Sequence, residues 1–353
     1  MHAQAARRAA LSPTTHEPAR GYRLKEEPVK RWLLVVTGGG LLAVACNPES
    51  RAPTAPARAT SAPAFELQHP ATHIMLLRGQ VRSGLSLGAA PSSGNGIDYH
   101  GGPIIYTQKV AAIYWSSGTI YRGGPAPGTS GPGSADGSVV GFFMSHLGGS
   151  PYYNINTTYY DGAGTHIQNS VTYTQYWAAN TNVPLPGQPV LDSQIQAQVI
   201  AGFTSGNLTY DPNTLYLVFS DAMVNLGGEF GVVYCAYHGN FTWNGNDVKY
   251  GAMPHDIDFF DCNALSGSPN NDPAADAEVN TLAHETEETN TDEDLNAWYD
   301  SNGNENADKC AWNFGSTYTT ANGSRANMNL GGKDFLVQQN WVNANGGSCR
   351  LSW

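Results

Sequence analysis

A single mixed α/β (α+β) domain, a mixed sheet followed by one long helix and stapled by disulfides, is what this sequence predicts for residues 101–353. Three observations carry that expectation. Strand-like apolar runs are interleaved with helical spacings, Asp272-Pro273 makes a strong helix start, and four cysteines fall in the last third of the chain.

The elements follow in order. Val110, Ile113 and Trp115 belong to a short apolar run, 109–115, that reads as a buried strand. Val139, Val140, Phe143 and Leu147 have helical spacing over 138–147, and Gly148-Gly149 stop it. Residues 170–177 alternate as a strand does. Asp192 is placed to cap a helix through Ile195, Val199 and Ile200. Strands are expected at 214–219, 231–238 and 248–253, and a last one at 333–337. Asp272 can cap the long helix, and Pro273 costs nothing in a first turn whose N–H lacks a partner. Cys235, Cys262, Cys310 and Cys349 allow three pairings. None has the C-x-x-C spacing of a zinc–thiolate site, so we expect disulfides between sequence neighbours, Cys235 with Cys262 and Cys310 with Cys349.

The front of the chain reads differently. Lys30 and Arg31 precede an apolar stretch, 32–45, that is short for a membrane span and suited to a signal-peptide core. It ends in small residues before Cys46 and resembles the lipobox of bacterial lipoproteins, in which the cysteine is lipidated. An ordinary signal peptide with Cys46 as a stray thiol is the plainer alternative. Residues 1–45 are therefore expected as a signal peptide. Residues 46–100, rich in Ala, Pro, Ser, Thr and Gly, are expected as a tether that buries too little to fold.

Charge narrows the partners. Charged residues make up only 13%, about half the usual share, which suits an extracytoplasmic protein. Without residues 1–45 the chain has 11 basic and 26 acidic residues, a net charge of −15. Such a surface repels phosphate backbones and argues against nucleic acid.

His284-Glu285-Thr286-Glu287-Glu288 lies in the long helix. His284 and Glu288, i and i+4, leave one face a turn apart, where a metal ion can bridge them. Glu285 is placed to act as general base on a metal-bound water, as in H-E-x-x-H. The competing reading is a solvated acidic face. Downstream, Asn304-Glu305-x-x-Asp308 resembles the second helix of the gluzincin proteases. That likeness implies a zinc set of His284, Glu288 and Glu305, with Asp308 behind the far nitrogen of His284; Asp308 or Asp292 is the alternative third ligand. Asp300-x-Asn302-x-Asn304 spaces oxygen atoms like the start of a calcium loop, though its glycine comes early.

Further pieces resemble the phosphate-induced protein 1 family, the EXORDIUM-like proteins, over about 101–353. They are Gly101-Gly102-Pro103-Ile104, Tyr234-Cys235-Ala236-Tyr237-His238, Ala283-His284-Glu285, Asn296-Ala297-Trp298-Tyr299, Glu305-x-x-Asp308-x-Cys310 and Lys333-Asp334-Phe335-Leu336-Val337-Gln338. The resemblance implies an extracellular protein and a zincin-like helix in which Glu288 replaces the second histidine. Two functions are expected from different classes. One is an exported, lipid-anchored zinc hydrolase acting on peptides, with His238 or His255 as a hydrogen-bond donor to the oxyanion. The other is a non-catalytic surface protein that meets a cell-envelope polymer through Tyr152, Tyr153, Tyr159, Tyr160, Trp177 and Trp243, with calcium in a structural role. Either would sit at the outer membrane or cell surface, or be secreted.

Overall fold

In the computed structural model, residues 72–78, 80, 95–228, 230–264 and 267–353 are described. The segment 1–45 expected as a signal peptide, and Cys46, lie outside them. A seven-stranded mixed sheet runs through the domain. Its strands are β1 (Thr72–Leu76), β3 (Gln108–Trp115), β4 (Ser130–Pro132), β5 (Val171–Trp177), β6 (Thr214–Ser220), β7 (Tyr234–Trp243) and β8 (Asn246–Met253), with β2 (Asp98–Tyr99) pairing outside the sheet. The order is β1-β7-β8-β6-β3-β5-β4. The inner strands β8, β6, β3 and β5 are parallel, and β1, β7 and β4 are antiparallel to their neighbours. Strands buried on both faces read as continuous apolar runs, which is why β3 and β6 were legible.

Alternation along the strands gives each face its own core. Val110, Ala112, Leu215, Leu217 and Ala236 pack under α1 (Val139–Leu147) and α3 (Pro273–Thr291). Ala111, Ile113, Tyr216 and Val218 pack under α2 (Asp192–Thr204). Ser138 caps α1 by accepting from the Gly141 amide. Asp192 and Asp272 do not cap with their side chains. Asp192 is the first residue of α2 and accepts the Tyr237 and Tyr250 hydroxyls; Asp272 accepts the Arg122 amide. The strand expected from Gly231 begins at Tyr234, because Gly231 turns at φ +70° and its amide bonds the Tyr234 carbonyl. The expected strand 333–337 is the short Lys333–Phe335, paired with Met328–Leu330.

The tether expectation fails at two places. Thr72–Leu76 forms an edge strand on β7, and Asp98–Tyr99 pairs with Trp298–Tyr299. Backbone pairing and the burial of Met75 and Leu77 supply what the composition of the surrounding segment lacks. Both expected disulfides form, Cys235–Cys262 with Cα atoms 5.4 Å apart and Cys310–Cys349 at 5.6 Å. Gly102 lies so close to the Asn296 side chain that a Cβ would stand 1.7 Å from its Oδ1. That contact ties the start of the 101–353 region to the loop after α3.

Candidate metal centre

Helix α3 is buried along nearly its whole length, and Glu285, Glu287 and Glu288 are all 0% exposed. A glutamate is almost never fully buried unless paired, so the solvated-face reading is overturned. Glu287 turns away from the others and accepts from the Asn340 carboxamide at 2.8 Å. Glu285 and Glu288 meet side chains from three other parts of the chain.

Strand pairing brings two imidazoles. His73 and His238 stand opposite each other in the β1–β7 register, with ring centroids 5.8 Å apart. Ala236 and His238, two residues apart, share the face that α3 covers. The loop after α3 brings Glu305 and Asp308, ahead of the disulfide at Cys310.

The distances are short. His238 Nδ1 is 3.0 Å from Glu285 Oε2 and 3.7 Å from Glu288 Oε2, and its Nε2 is 3.7 Å from Glu305 Oε2. His284 Nε2 lies 3.0 Å from Glu288 Oε1 and 3.5 Å from Asp308 Oδ1. His73 Nε2 bonds Asp308 Oδ2 at 2.6 Å, and its Nδ1 is 3.4 Å from Glu305 Oε1. Of three sets among the described residues that offer ligand atoms within 4.8 Å of one another, two lie here: His238, Glu288 and Glu305, and His73, Glu288 and Asp308.

The sequence placed His284, Glu288 and Glu305 together, and the structure gathers all three in one cluster with Glu285 and Asp308. It differs in the histidines that face Glu305, which are His238 and His73 from the sheet. Gln338 Nε2 meets His284 Nδ1 at 3.0 Å while donating to the Ala307 carbonyl at 2.9 Å. With an amide donor on Nδ1, the neutral ring carries its proton on Nε2, toward Glu288 and Asp308. Asp308 therefore faces the near nitrogen of His284, and Gln338 holds the far one. Asp292 accepts the Asn296 and Ala297 amides, both at 2.6 Å, and closes the turn after α3. His255 bonds Asp258 outside the cluster. Asp300 spends its oxygens on Lys309 and on the amides of Asn302 and Asn304.

His73 was missed because it lies in the segment read as tether. The available signal was the apolar run Ile74 to Leu77, which breaks the Ala/Pro/Ser composition around it.

Several buried atoms that could face an ion have no hydrogen-bond partner: His238 Nε2, Glu285 Oε1, Glu288 Oε2 and Glu305 Oε2. Leaving such groups unmatched is costly. His238 Nε2 and Glu305 Oε2 are 3.7 Å apart with no hydrogen bond between them. Groups gathered around a common ion stand this way, since atoms about 2.1 Å from a tetrahedral centre are roughly 3.4 Å apart. Nitrogen and oxygen donors without sulfur suit zinc and harder divalent ions.

Burial and neighbouring charge set the protonation of the cation-free cluster. Burial pushes Glu285 up to about 8 and His238 down to about 4, and it raises Glu305 well above the carboxylate range. For His73 burial opposes charge, yet the Asp308 carboxylate lifts the imidazole to about 9. Burial likewise opposes the Asp308 charge, but His73 and His284 hold that carboxyl low. A neutral His238 is ready to ligate. Compared with protein-family profiles, curated proteins and solved structures, the chain matches none.

Proposed function

We propose that this is an exported, lipid-anchored, metal-dependent hydrolase acting on peptides, with zinc as the ion. The observation that carries the reading is the set of buried, partnerless atoms on His238, Glu288 and Glu305, beside a free oxygen of Glu285. These three residues would hold the ion, which at such a site lowers the pKa of water and polarises a carbonyl. Glu285 is the base. Its Oε2 is held by His238 Nδ1–H, its Oε1 has no partner, and burial gives it a proton affinity matched to neutral pH. His238 thus positions the base, and His284 steadies Glu288 and Asp308.

Export fits the two disulfides, which persist in oxidising compartments. Anchoring through Cys46 rests on the sequence before it. Among the described residues no helix is long and apolar enough to cross a membrane. Kinship with the EXORDIUM-like proteins is proposed on the quoted sequence pieces alone.

The test is elemental analysis and a peptide-library digest of the full chain after zinc loading, wild type beside Glu285→Gln. We expect at least one bound zinc in both and cleavage reduced by about 10²- to 10⁴-fold in the variant. A chain that takes up no metal sinks the proposal. One that binds zinc but cleaves nothing, in any condition that frees the centre, leaves the ion a structural role.

A further inference from the structure

The centre is sealed. His238, His284, Glu285 and Glu288 are fully buried, and the members nearest solvent are the side chains of His73 and Asp308, 21% and 10% exposed. The element closing it is β1, an edge strand of five residues laid antiparallel on β7. β7 carries His238, so whatever pairs with β7 lies across the mouth of the cluster. An extended segment added to a sheet edge gains main-chain hydrogen bonds in any sequence and specificity from alternate side chains. β1 is such a segment. Met75 is buried, His73 points at the acids, and most of its other side chains are partly open.

Resting on the hydrolase reading above, we propose that β7 is the docking strand for an extended polypeptide substrate. β1 is this chain's own occupant of that position, with His73 barring the centre until β1 leaves. His73 and Asp308 form a matched pair 2.6 Å apart, so β1 docks without leaving either group bare. Downstream, β1 is held by the Leu77 amide on the Val233 carbonyl, by Trp312 Nε1 on the Leu76 carbonyl, and by the Arg78 guanidinium on the Asn263 and Phe260 carbonyls. These anchors give a latent chain, in which the competent state is a minor population.

Met75→Asp places a charge where β1 is most buried and should undock it, and Arg78→Ala is the milder variant. We expect Met75→Asp to raise peptide cleavage at least about tenfold, since activity scales with the competent fraction, and Arg78→Ala to raise it less. A fluorescent peptide with the sequence of residues 72–78 should bind the Met75→Asp chain, bind wild type far more weakly, and inhibit the released activity. The same peptide carrying His73→Ala should inhibit less. If the peptide binds neither variant while both lose domain stability, β1 is a fixed strand and the proposal falls. If wild type cleaves as fast as both variants, the docking idea falls and the hydrolase reading stands. If the peptide binds Met75→Asp but no chain cleaves anything, the exchangeable strand stands and the hydrolase reading falls, and with it the substrate assignment.

Discussion

Around Lys249 three carboxylates gather about an ammonium. Its Nζ lies 2.7 Å from Asp247 and 2.8 Å from Glu293, and Asp294 completes the group. Around Glu288 four carboxylates gather, those of Glu285, Glu288, Glu305 and Asp308, and their charged partners among the described residues are imidazoles. The first cluster carries its own cation on a side chain. The second has only groups that can give their protons away to a metal. Acid density alone does not mark a candidate metal site; what sets the second cluster apart is the absence of lysine or arginine beside imidazoles within ligand distance of one another.

The largest expected effect separates the two clusters by chelation. A cation at a thousandfold excess over its Kd stabilises by about 4 kcal/mol, so removing it should lower Tm by roughly 8–16 °C in a thermal scan. An unchanged Tm would put both clusters on the same footing and remove the ion. Next comes Lys249→Met. Breaking a buried pair costs about 3 kcal/mol at the low end, appropriate because Asp247 is 40% exposed, giving roughly 6–12 °C. This loss should be equal with and without chelator; a chelator-dependent loss would mean that the clusters communicate.

A pH titration sharpens the contrast further. Glu285, lifted by burial from 4.5 to about 8, keeps its proton in the folded cation-free chain where the unfolded chain has released it. The folded state then binds more protons between those values, and stability must fall as pH rises from about 4.5 to about 8. A bound cation favours the carboxylate and removes that loss. The Tm gap between loaded and chelated protein should therefore widen with pH, and a gap that narrows would contradict the assignment. Smallest is Lys309→Met beside Asp300. This lysine also sits 4.7 Å from the Trp341 ring centroid, and its loss should cost only about 1 kcal/mol.

Much of the frame was legible. Pro273 after Asp272, with alanines behind it, announced α3, and continuous apolar runs announced β3 and β6. The cysteine pairs followed from sequence order. The burial of α3 was not legible, because a helix polar on several faces has the same spacing whether water or other carboxylates surround it. His73 was hidden for a different reason. Five residues of strand carry a weak local signal, and β1 exists through its pairing with β7, a partner more than 150 residues away. His238 was visible in its strand, but its alignment with α3 depends on sheet order, which no local window contains.

A practical consequence follows from β1 for anyone preparing the protein. A recombinant fragment begun at Gly101, the start that composition recommends, would leave one side of β7 with bare amides and carbonyls. Uncapped edges of that kind recruit other chains into aggregates and swapped dimers. Starting the fragment ahead of Thr72 should keep it monodisperse at concentrations where the shorter one precipitates.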